Sequence, residues 1–383
     1  MKRIALLLLL LLAVCPAAKA EGMENALDTV LDGLSLQDWQ DAYDRAFPQE
    51  IAQGEDFRTT ILKLAKGERV LDPETLLRAL AARLIGALTQ SLWRLARLVT
   101  PAVFCGVLRR LRLSFARPAL GEALDGACFL LLAACMAQDL GTHMRLTQDA
   151  VTSMADLMQS LFPLLLTLLA AVGGTAGAAF FQPAVVAACG TMTELVRSVS
   201  LRLALAAGAA SILSHLSPRM RISRLCALLK MGASWTLGVG FTVFISVTAL
   251  QSLGAAAADG VSIRAAKYAV DHFVPVVGGM FADTMDTLVG ASLLIKNALG
   301  VTGLLLLLSA GAVPMLQTLA AAMAYRACAA LLEPLSDDRA SGCIQDFSDI
   351  LMLLFVIQLS VGAMFLLLVA QMLVVGNLTV MLR

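Results

Sequence analysis

The chain has 383 residues, of which 59% are hydrophobic and 15% are charged, and its mean hydropathy is +0.80. A typical soluble domain has about 25% charged residues, so too few polar side chains remain here to cover a globular surface in water. The 29 basic and 28 acidic residues give a net charge of +1, which offers no general attraction to nucleic acid. This composition excludes an ordinary cytosolic enzyme and predicts an all-α, polytopic helical membrane protein that contacts membrane lipid.

The first 20 residues have the pattern of a cleaved N-terminal signal peptide. Lys2 and Arg3 precede an apolar run over residues 4–14, and Ala18 and Ala20 are small residues at the positions that signal peptidase reads. Cleavage after Ala20 places the mature N-terminus outside the cytoplasm, and an uncleaved anchor is the alternative.

Residues 21–83 are the predicted extracytoplasmic segment. Acidic residues are frequent in its first fifty positions, and its apolar residues recur at the spacing of a helix. The first of these apolar residues are Leu27, Val30, Leu31 and Leu34. This pattern predicts short amphipathic helices.

The remainder, 84–383, is predicted to be a transmembrane domain with about seven or eight spans of roughly 20 residues each. Charge-free runs long enough to cross a bilayer lie at 157–193, 231–258, 297–325 and 350–382. Weaker candidates lie at 84–108, 119–140 and 203–217. Arg94 and Arg97 interrupt 84–108, which either crosses with its arginines facing protein or lies at the membrane interface as an amphipathic helix.

Two basic clusters orient the spans, because positively charged loops remain in the cytoplasm. The clusters at 109–117 and 219–230 are therefore predicted to be cytoplasmic. The segment 333–346 is net acidic, and we expect it to face the outside. If 119–140 carries the chain outward after the first cluster, an odd number of further crossings must return it before the second cluster.

Two apolar runs lie in this interval, and the count agrees with the charge rule if a break in the helix makes one of them enter and leave the membrane on the same side. The break is supplied by three glycines and a proline, namely Gly173, Gly174, Gly177 and Pro183. Non-helical backbone at membrane depth needs protein or a water-filled cavity around it. A re-entrant element near 173–183 satisfies the charge rule, whereas eight full spans would break it once. Gly173 and Gly177 also match G-x-x-x-G, which indicates either close helix packing or a hinge or pore-lining break.

Polar residues are concentrated between two strong spans, at 259–297, and residues 259–286 of this segment are predicted to be extracytoplasmic. The candidate functional residues are Asp259, Arg264, Lys267, Pro275, Gly278, Asp283, Asp286, Lys296 and Asn297, together with Pro163 in the preceding span. The segment is either a solvated loop with an interfacial helix or a polar element that lines a passage or docks a partner. Lys296 enters the next span, where it either pairs with Asp283 or Asp286 or extends to the interface.

Motifs for catalysis, cofactor binding and metal binding are absent from the sequence. The three histidines lie far apart, and there is no nucleotide-binding glycine loop. The eight cysteines form no C-x-x-C pair and mostly lie in apolar runs, as small buried hydrophobic residues do. The sequence therefore predicts no enzymatic activity, no cofactor and no metal site.

Several separate segments resemble the stage III sporulation protein AE family. They are residues 163–174 with 181–183, 259–264, 273–278, 291–300 and 376–383, which match in the same order along the chain. Residues 291–300 read Ala-Ser-Leu-Leu-Ile-Lys-Asn-Ala-Leu-Gly.

The resemblance implies a component, without assigned enzymatic activity, of an export-like apparatus that joins the mother cell to the forespore. It places the protein in the mother-cell membrane around the forespore. The implied partners are other proteins of the stage III sporulation operon and the stage II sporulation protein Q apparatus of the forespore, with a homo-oligomer left open. The chain would be a channel or scaffold subunit. The alternative is a stand-alone secondary transporter, a class that has internal repeats with broken helices.

Overall fold

The computed structural model describes residues 21–32, 57–66, 118–216, 222–273, 278–333 and 338–381, with isolated positions between 40 and 100. For 21–25, 118–125, 256–257, 259–273, 278–286, 338–339 and 378–381, and for a few positions in α4, it describes the course of the helix and not the side chains. The signal peptide 1–20, the basic cluster 109–117 and nearly all of 84–108 lie outside the described residues. The described part is helical and contains no strand, as the composition predicts.

Eight α-helices follow one another in the described ranges. They are α1 Glu21–Asp32, α2 Phe57–Ala65, α3 Pro118–Ala171, α4 Thr175–Leu195, α5 Leu201–Leu216, α6 Ser223–Phe273, α7 Gly278–Leu332 and α8 Asp338–Met381. A π-helical turn, Val196–Ser200, joins α4 to α5 without interrupting the helix.

Five helical segments in the described ranges are long and apolar enough to cross a membrane. They are Gly126–Ala171, Cys189–His215, Ser223–Ala255, Thr287–Leu332 and Ala340–Asn377. The protein is therefore a multi-pass helical membrane protein.

Helix α3 joins two predicted crossings into one element. The sequence predicts separate spans at 119–140 and from 157 onward, but the backbone is α-helical without interruption from Pro118 to Ala171. These 54 residues extend about 81 Å at 1.5 Å per residue. The charged residues between the two apolar runs lie on the surface of a helix and not in a loop, which is why the separate crossings do not occur.

The chain breaks between α3 and α4, at the glycines that the sequence singles out. Gly173 has a φ of 101°, which residues with a Cβ rarely adopt. A Cβ on Gly174 would lie 2.9 Å from Cδ1 of Leu169, so the tight turn also depends on the missing side chain. The turn makes α3 and the α4–α5 rod into a long hairpin.

The non-helical backbone at this break is shorter than the predicted re-entrant element. Helical structure resumes at Thr175 and continues through Gly177 and Pro183. Only residues 172–174 are non-helical. Proline is tolerated inside a transmembrane helix because neighbouring groups satisfy the carbonyl that it leaves free.

Helices α3, α7 and α8 form the centre of the bundle. Leu161 of α3 packs on Gly303 of α7, where a Cβ would lie 2.6 Å from its Cδ2, and Met154 packs on Gly311 with its Sδ 3.1 Å from the Cβ position. Because the residue numbers rise along α3 as they fall along α7, the two helices are antiparallel. Met315 likewise contacts Gly362, and α8 is antiparallel to α7. Glycines at these crossings allow close helix approach.

Ion pairs mark one end of the bundle, which we call the ion-pair end; it is formed by His215, Lys230, Arg326, Asp346 and Asp349. The Nζ of Lys230 lies 3.5 Å from an oxygen of Asp346, and Arg326 lies 2.9 Å from Asp349. The end of α7 and the starts of α6 and α8 therefore lie side by side.

This arrangement corrects one predicted orientation. Lys230 belongs to the basic cluster 219–230, and Asp346 belongs to the acidic segment 333–346 that was predicted to face the opposite side. The contact between them shows that both segments lie at the same end. The prediction from negative charge was wrong because acidic residues contribute little to membrane orientation.

The N-terminal helices pack on the bundle. Helix α1 buries Leu27 and Leu31 and helix α2 buries Phe57 and Ile61, and both contact α7. Arg58 of α2 pairs with the carboxylates of α1, at 2.7 Å from Asp32. Of the apolar positions that predict an amphipathic helix here, Leu27 and Leu31 are buried and Val30 is half-buried, and Leu34 lies outside the described residues.

Candidate functional site

Lys296 is the most unusual buried side chain in the described part of the chain. Helix α7 carries it on the face that meets α8, between the fully buried Ile295 and Leu299, and only 1% of the lysine is exposed. Its Nζ donates to the carbonyl oxygen of Leu373 at 3.2 Å and to that of Met372 at 3.5 Å. A buried ammonium group needs such acceptors, because leaving it without a partner is costly.

Gly376 makes this contact possible. A Cβ on Gly376 would overlap Nζ of Lys296, so a larger residue there would push the amine away from the α8 carbonyls. The neighbouring Gly300 is in a similar position, because a Cβ on it would overlap the side chain of Leu373. The structure thus brings together residues 291–300 and 376–377, two of the segments that carry the family resemblance.

Neither predicted contact of Lys296 is formed. Asp286 and Asp283 lie on the same uninterrupted helix α7, and Asp286 is about 15 Å from Lys296 along the axis, which is farther than the two side chains reach. The lysine also does not extend to the surface. It contacts the backbone of a neighbouring helix, an acceptor that sequence reasoning did not consider.

Three amide side chains lie close to this lysine, one beside it in the sequence and two on α8. Asn297 follows it directly, and Gln371 and Asn377 flank the carbonyls that accept its hydrogen bonds. The side-chain oxygens of these three residues are buried without a hydrogen-bond partner in the described part of the chain. The level of Lys296 is therefore a polar layer in an otherwise apolar interior.

A second polar cluster lies nearer the ion-pair end and joins three helices. The Nε2 of Gln358 on α8 donates to Thr147 Oγ1 on α3 at 2.6 Å and to Thr318 Oγ1 on α7 at 3.2 Å. The two hydroxyls in turn donate to carbonyls of their own helices, those of His143 and Pro314. The cluster fixes the rotation of α3, α7 and α8 relative to one another.

A third polar contact joins α3 and α7 beside the ion-pair end. The hydroxyl of Tyr325 donates to the carboxylate of Asp139, and the Tyr325 ring lies 4.7 Å from that of Phe347 between centroids. Ser348 donates to the carbonyl of Ala322 at 2.8 Å. These contacts anchor α7 to both of its antiparallel neighbours.

The remaining predicted residues are spread over the fold and do not form one site. Pro163 and Pro183 lie inside α3 and α4. The polar segment is mostly helical and forms the end of α6 and the start of α7. Asp259, Arg264 and Lys267 lie in α6, Gly278 begins α7, Asp283 and Asp286 follow in α7, and Pro275 is outside the described residues.

Sequence reasoning missed Gln358, Thr147 and the Lys230–Asp346 pair. Gln358 had a visible signal, since it is a strongly polar residue inside the charge-free run 350–382. Thr147 and Thr318 had no such signal, because threonine is common in transmembrane helices and bonds to its own backbone. No group of three or more residues that could hold a metal ion occurs within the described ranges.

Comparison with known proteins agrees with the resemblance seen in the sequence. The family model described as Stage III sporulation protein AE matches residues 55–376. The chain is 29% identical over 329 residues to a Bacillus subtilis (strain 168) protein named Stage III sporulation protein AE, covering 86% of this chain and 82% of that protein. No solved structure matches. Because the family model spans most of the helical bundle, the chain belongs to the stage III sporulation protein AE family.

Proposed function

We propose that the protein is a membrane channel or scaffold subunit of the sporulation export-like apparatus that links the mother cell to the forespore. Membership of a sporulation family supports a role in sporulation. The buried polar layer at Lys296 is the observation that favours a functional bundle over a simple anchor, since ionisable groups inside membrane proteins are costly and usually serve a purpose.

In this proposal the protein has no enzymatic activity of its own. It acts in the mother-cell membrane that surrounds the forespore, with other stage III operon proteins and the forespore stage II sporulation protein Q apparatus as partners. The ion-pair end lies on the cytoplasmic side, because it contains Lys230 of the basic cluster 219–230. The ends of α6 and α7 at 259–286 then face the space between the two membranes.

Deletion in a spore-forming bacterium tests the role. We expect engulfed forespores to stop developing and a late forespore reporter to stay silent, with both restored by the wild-type chain. A deletion strain that sporulates normally would contradict the proposal and favour a stand-alone transporter. Thiol labelling of cysteines placed at 221 and 341 tests the orientation, and labelling of both from the cytoplasmic side only is expected.

Variants of Lys296 test the polar layer. Lys296→Ala removes the amine that bonds to the α8 carbonyls, and we expect reduced sporulation at near-normal protein level. Lys296→Met is the matched control, because it preserves most of the side-chain volume and removes the charge. If Lys296→Met sporulates like wild type while Lys296→Ala does not, the lysine acts through packing alone and the layer has no polar role.

A further inference from the structure

One face of α3 stays exposed and is polar over most of the membrane-spanning part of the helix. We call it the polar stripe: the exposed residues of α3 from Gln138 to Thr167. It includes Arg145, Asp149, Ser153 and Asp156, and its only apolar member is Pro163. Its members recur every three or four residues, with adjacent pairs at 148–149 and 159–160, so the stripe runs along one side of the helix for about 44 Å.

The stripe lies at the depth of the most apolar part of the bundle. Met154, next to Ser153, contacts Gly311 of α7 and Gly362 of α8. Gly362 is about halfway between Asp349, at the ion-pair end, and Leu373, at the Lys296 layer. Asp156 is therefore exposed close to the middle of the span, where a carboxylate in contact with lipid is strongly unfavourable.

The other limb of the same hairpin exposes charges at this depth as well. Gly208 of α5 packs on Leu140 of α3, with a Cβ position 2.6 Å from Cδ2 of Leu140, so the α4–α5 rod runs antiparallel beside α3. Counting back from this contact places Arg202, Arg197 and Glu194 level with the stripe, and all three are exposed. Both limbs together carry three positive and three negative side chains, with no net charge.

Pro163 adds a backbone acceptor to the same surface. Proline has no N–H, so the carbonyl of Gln159, one turn earlier, receives no helical hydrogen bond. Both residues are exposed on the stripe. A free carbonyl at membrane depth is tolerated where water or protein satisfies it and not where it faces lipid.

We propose that the α3–α5 hairpin lines an aqueous passage enclosed by several copies of this chain. A single hairpin cannot surround a passage, so several copies must enclose it. Closed rotational symmetry is the usual arrangement of identical copies in soluble homo-oligomers, and a ring of this kind would enclose the passage. Helix α6 supplies the face that such a ring needs toward lipid, because it exposes Trp235, Val239, Val243 and Val247. The balanced charges suit water and polar solutes of either sign. This inference rests on the proposed function and specifies which surface carries it.

The alternative is that the segment 84–108 of the same chain, which contains Arg94 and Arg97, covers the polar stripe. Two arginines one turn apart would neutralise Asp149 and Asp156 and leave the remaining length of the stripe unsatisfied. The stripe extends over about eight turns of helix, and its three amide side chains, Gln138, Gln148 and Gln159, are spread over about six of them. Water satisfies groups spread in this way, and one interrupted apolar helix does not.

Cysteine accessibility tests the lining. The full chain, with its own cysteines replaced and its sporulation activity retained, receives either Ser153→Cys or Ser246→Cys. The two serines are exposed and lie at similar distances from the ion-pair end, one on the stripe and the other on α6, so they form a matched pair. Each protein is reconstituted into phosphatidylglycerol and phosphatidylethanolamine vesicles and treated on both sides with a charged methanethiosulfonate.

We expect the cysteine at 153 to react faster by at least about tenfold, because only the thiolate reacts and its formation requires water. Equally slow reaction at both positions would overturn the lining. A single-chain mass for the functional protein in native membrane discs, or an intramolecular disulfide between cysteines placed at 94 and 156, would overturn it as well. Normal sporulation of the deletion strain would remove the proposed function without affecting the labelling contrast, so the two failures are distinguishable.

Discussion

Helices α3 and α6 are both long enough to span the membrane, and their apolar segments have the same mean hydropathy. Their exposed faces nevertheless differ. The exposed face of α6 carries large apolar residues such as Met231, Trp235 and Leu250. The corresponding face of α3 carries charged and amide side chains such as Arg145 and Asp156. Average hydropathy locates a span, and only the distribution around the helix tells which side faces lipid.

Hydroxyl groups do not account for this difference. On α6, Ser234, Thr242 and Ser246 are exposed, but each donates to the carbonyl four residues earlier, at 2.8–3.0 Å. Such residues satisfy themselves within the helix and are compatible with lipid. The carboxylates and guanidinium of α3 have no comparable local solution. The comparison therefore depends on the charged residues, and the predictions below address it in order of decreasing effect.

The largest effect is expected from placing a carboxylate on each face. Val243→Asp on α6 would put the charge into lipid, at a cost of about 2.5–3.5 kcal/mol for insertion. Ser153→Asp on α3 adds the same group to a face that already carries two carboxylates. Quantitative immunoblotting of the membrane fraction should show a large loss for Val243→Asp and nearly normal levels for Ser153→Asp. Equal levels of the two variants would mean that the faces have the same surroundings.

Gly303→Leu should have the next largest effect, because the interior contacts of α3 determine which face it exposes. A Cβ at Gly303 would collide with Leu161, and overpacking of this kind typically costs about 1–3 kcal/mol. Thermal unfolding in detergent measures the loss. Gly238→Leu on the exposed face of α6 is the control, since a Cβ there meets nothing within 4 Å. A destabilised control would indicate a general effect of leucine and not overpacking.

Gln358→Leu should lower the free energy of unfolding by less, about 1 kcal/mol. It removes the hydrogen bonds from α8 to Thr147 and Thr318, and a hydrogen bond between transmembrane helices contributes on average about 0.6 kcal/mol. The two threonines retain their bonds to backbone carbonyls. Gln159→Leu on the stripe should leave the stability within about 0.5 kcal/mol of wild type. Thermal unfolding in detergent distinguishes the two variants. A loss of stability from Gln159→Leu larger than this would show that the stripe is packed against protein.

Arg326→Ala should have the smallest effect. Arg326 and Asp349 form an ion pair whose side chains are 47% and 41% exposed, and pairs of this kind contribute about 0–1 kcal/mol. We expect a slightly lower melting temperature in low salt and no difference from wild type in high salt, because salt screens exposed charges. A loss well above 1 kcal/mol that persists in high salt would mean that the ion-pair end is shielded from solvent.

The helical class and the main spans could be predicted from the sequence, because long charge-free runs such as 231–258 and 350–382 admit few other structures. A break near Gly173 could also be predicted from the adjacent glycines in an apolar run, but the same glycines fit close helix packing, and the predicted re-entrant element is longer than the turn at 172–174. The continuity of α3 could not be predicted from charge-free runs, which end at every charge. The residues from Gln138 to Thr167 do follow the 3.6-residue period, and a search for polar periodicity would have joined the two runs.

The candidate site was less predictable for a different physical reason. Lys296 was recognisable as an ionisable residue entering a span, but its acceptors are the carbonyls of Met372 and Leu373, and backbone groups leave no mark in a sequence. Gly376 gives only an indirect indication, because a glycine at a helix crossing has many explanations. Contacts between residues more than seventy positions apart need the packing of α7 on α8, which periodicity alone does not provide.

The π-helical turn at Val196–Ser200 acts as a phase shift in the α4–α5 rod. A π turn adds one residue to a helical turn, and one residue corresponds to about 100° of rotation. Helix α5 is therefore rotated by about 100° from the orientation that it would have if α4 continued as a uniform α-helix. Removing one residue from the turn would restore a uniform α-helix and rotate all of α5. Ala204 and Ala207, which are fully buried, would leave the core, and residues such as Arg202 would be moved toward it. One inserted residue thus decides whether Arg202 or the pair Ala204 and Ala207 faces outward on this limb of the hairpin.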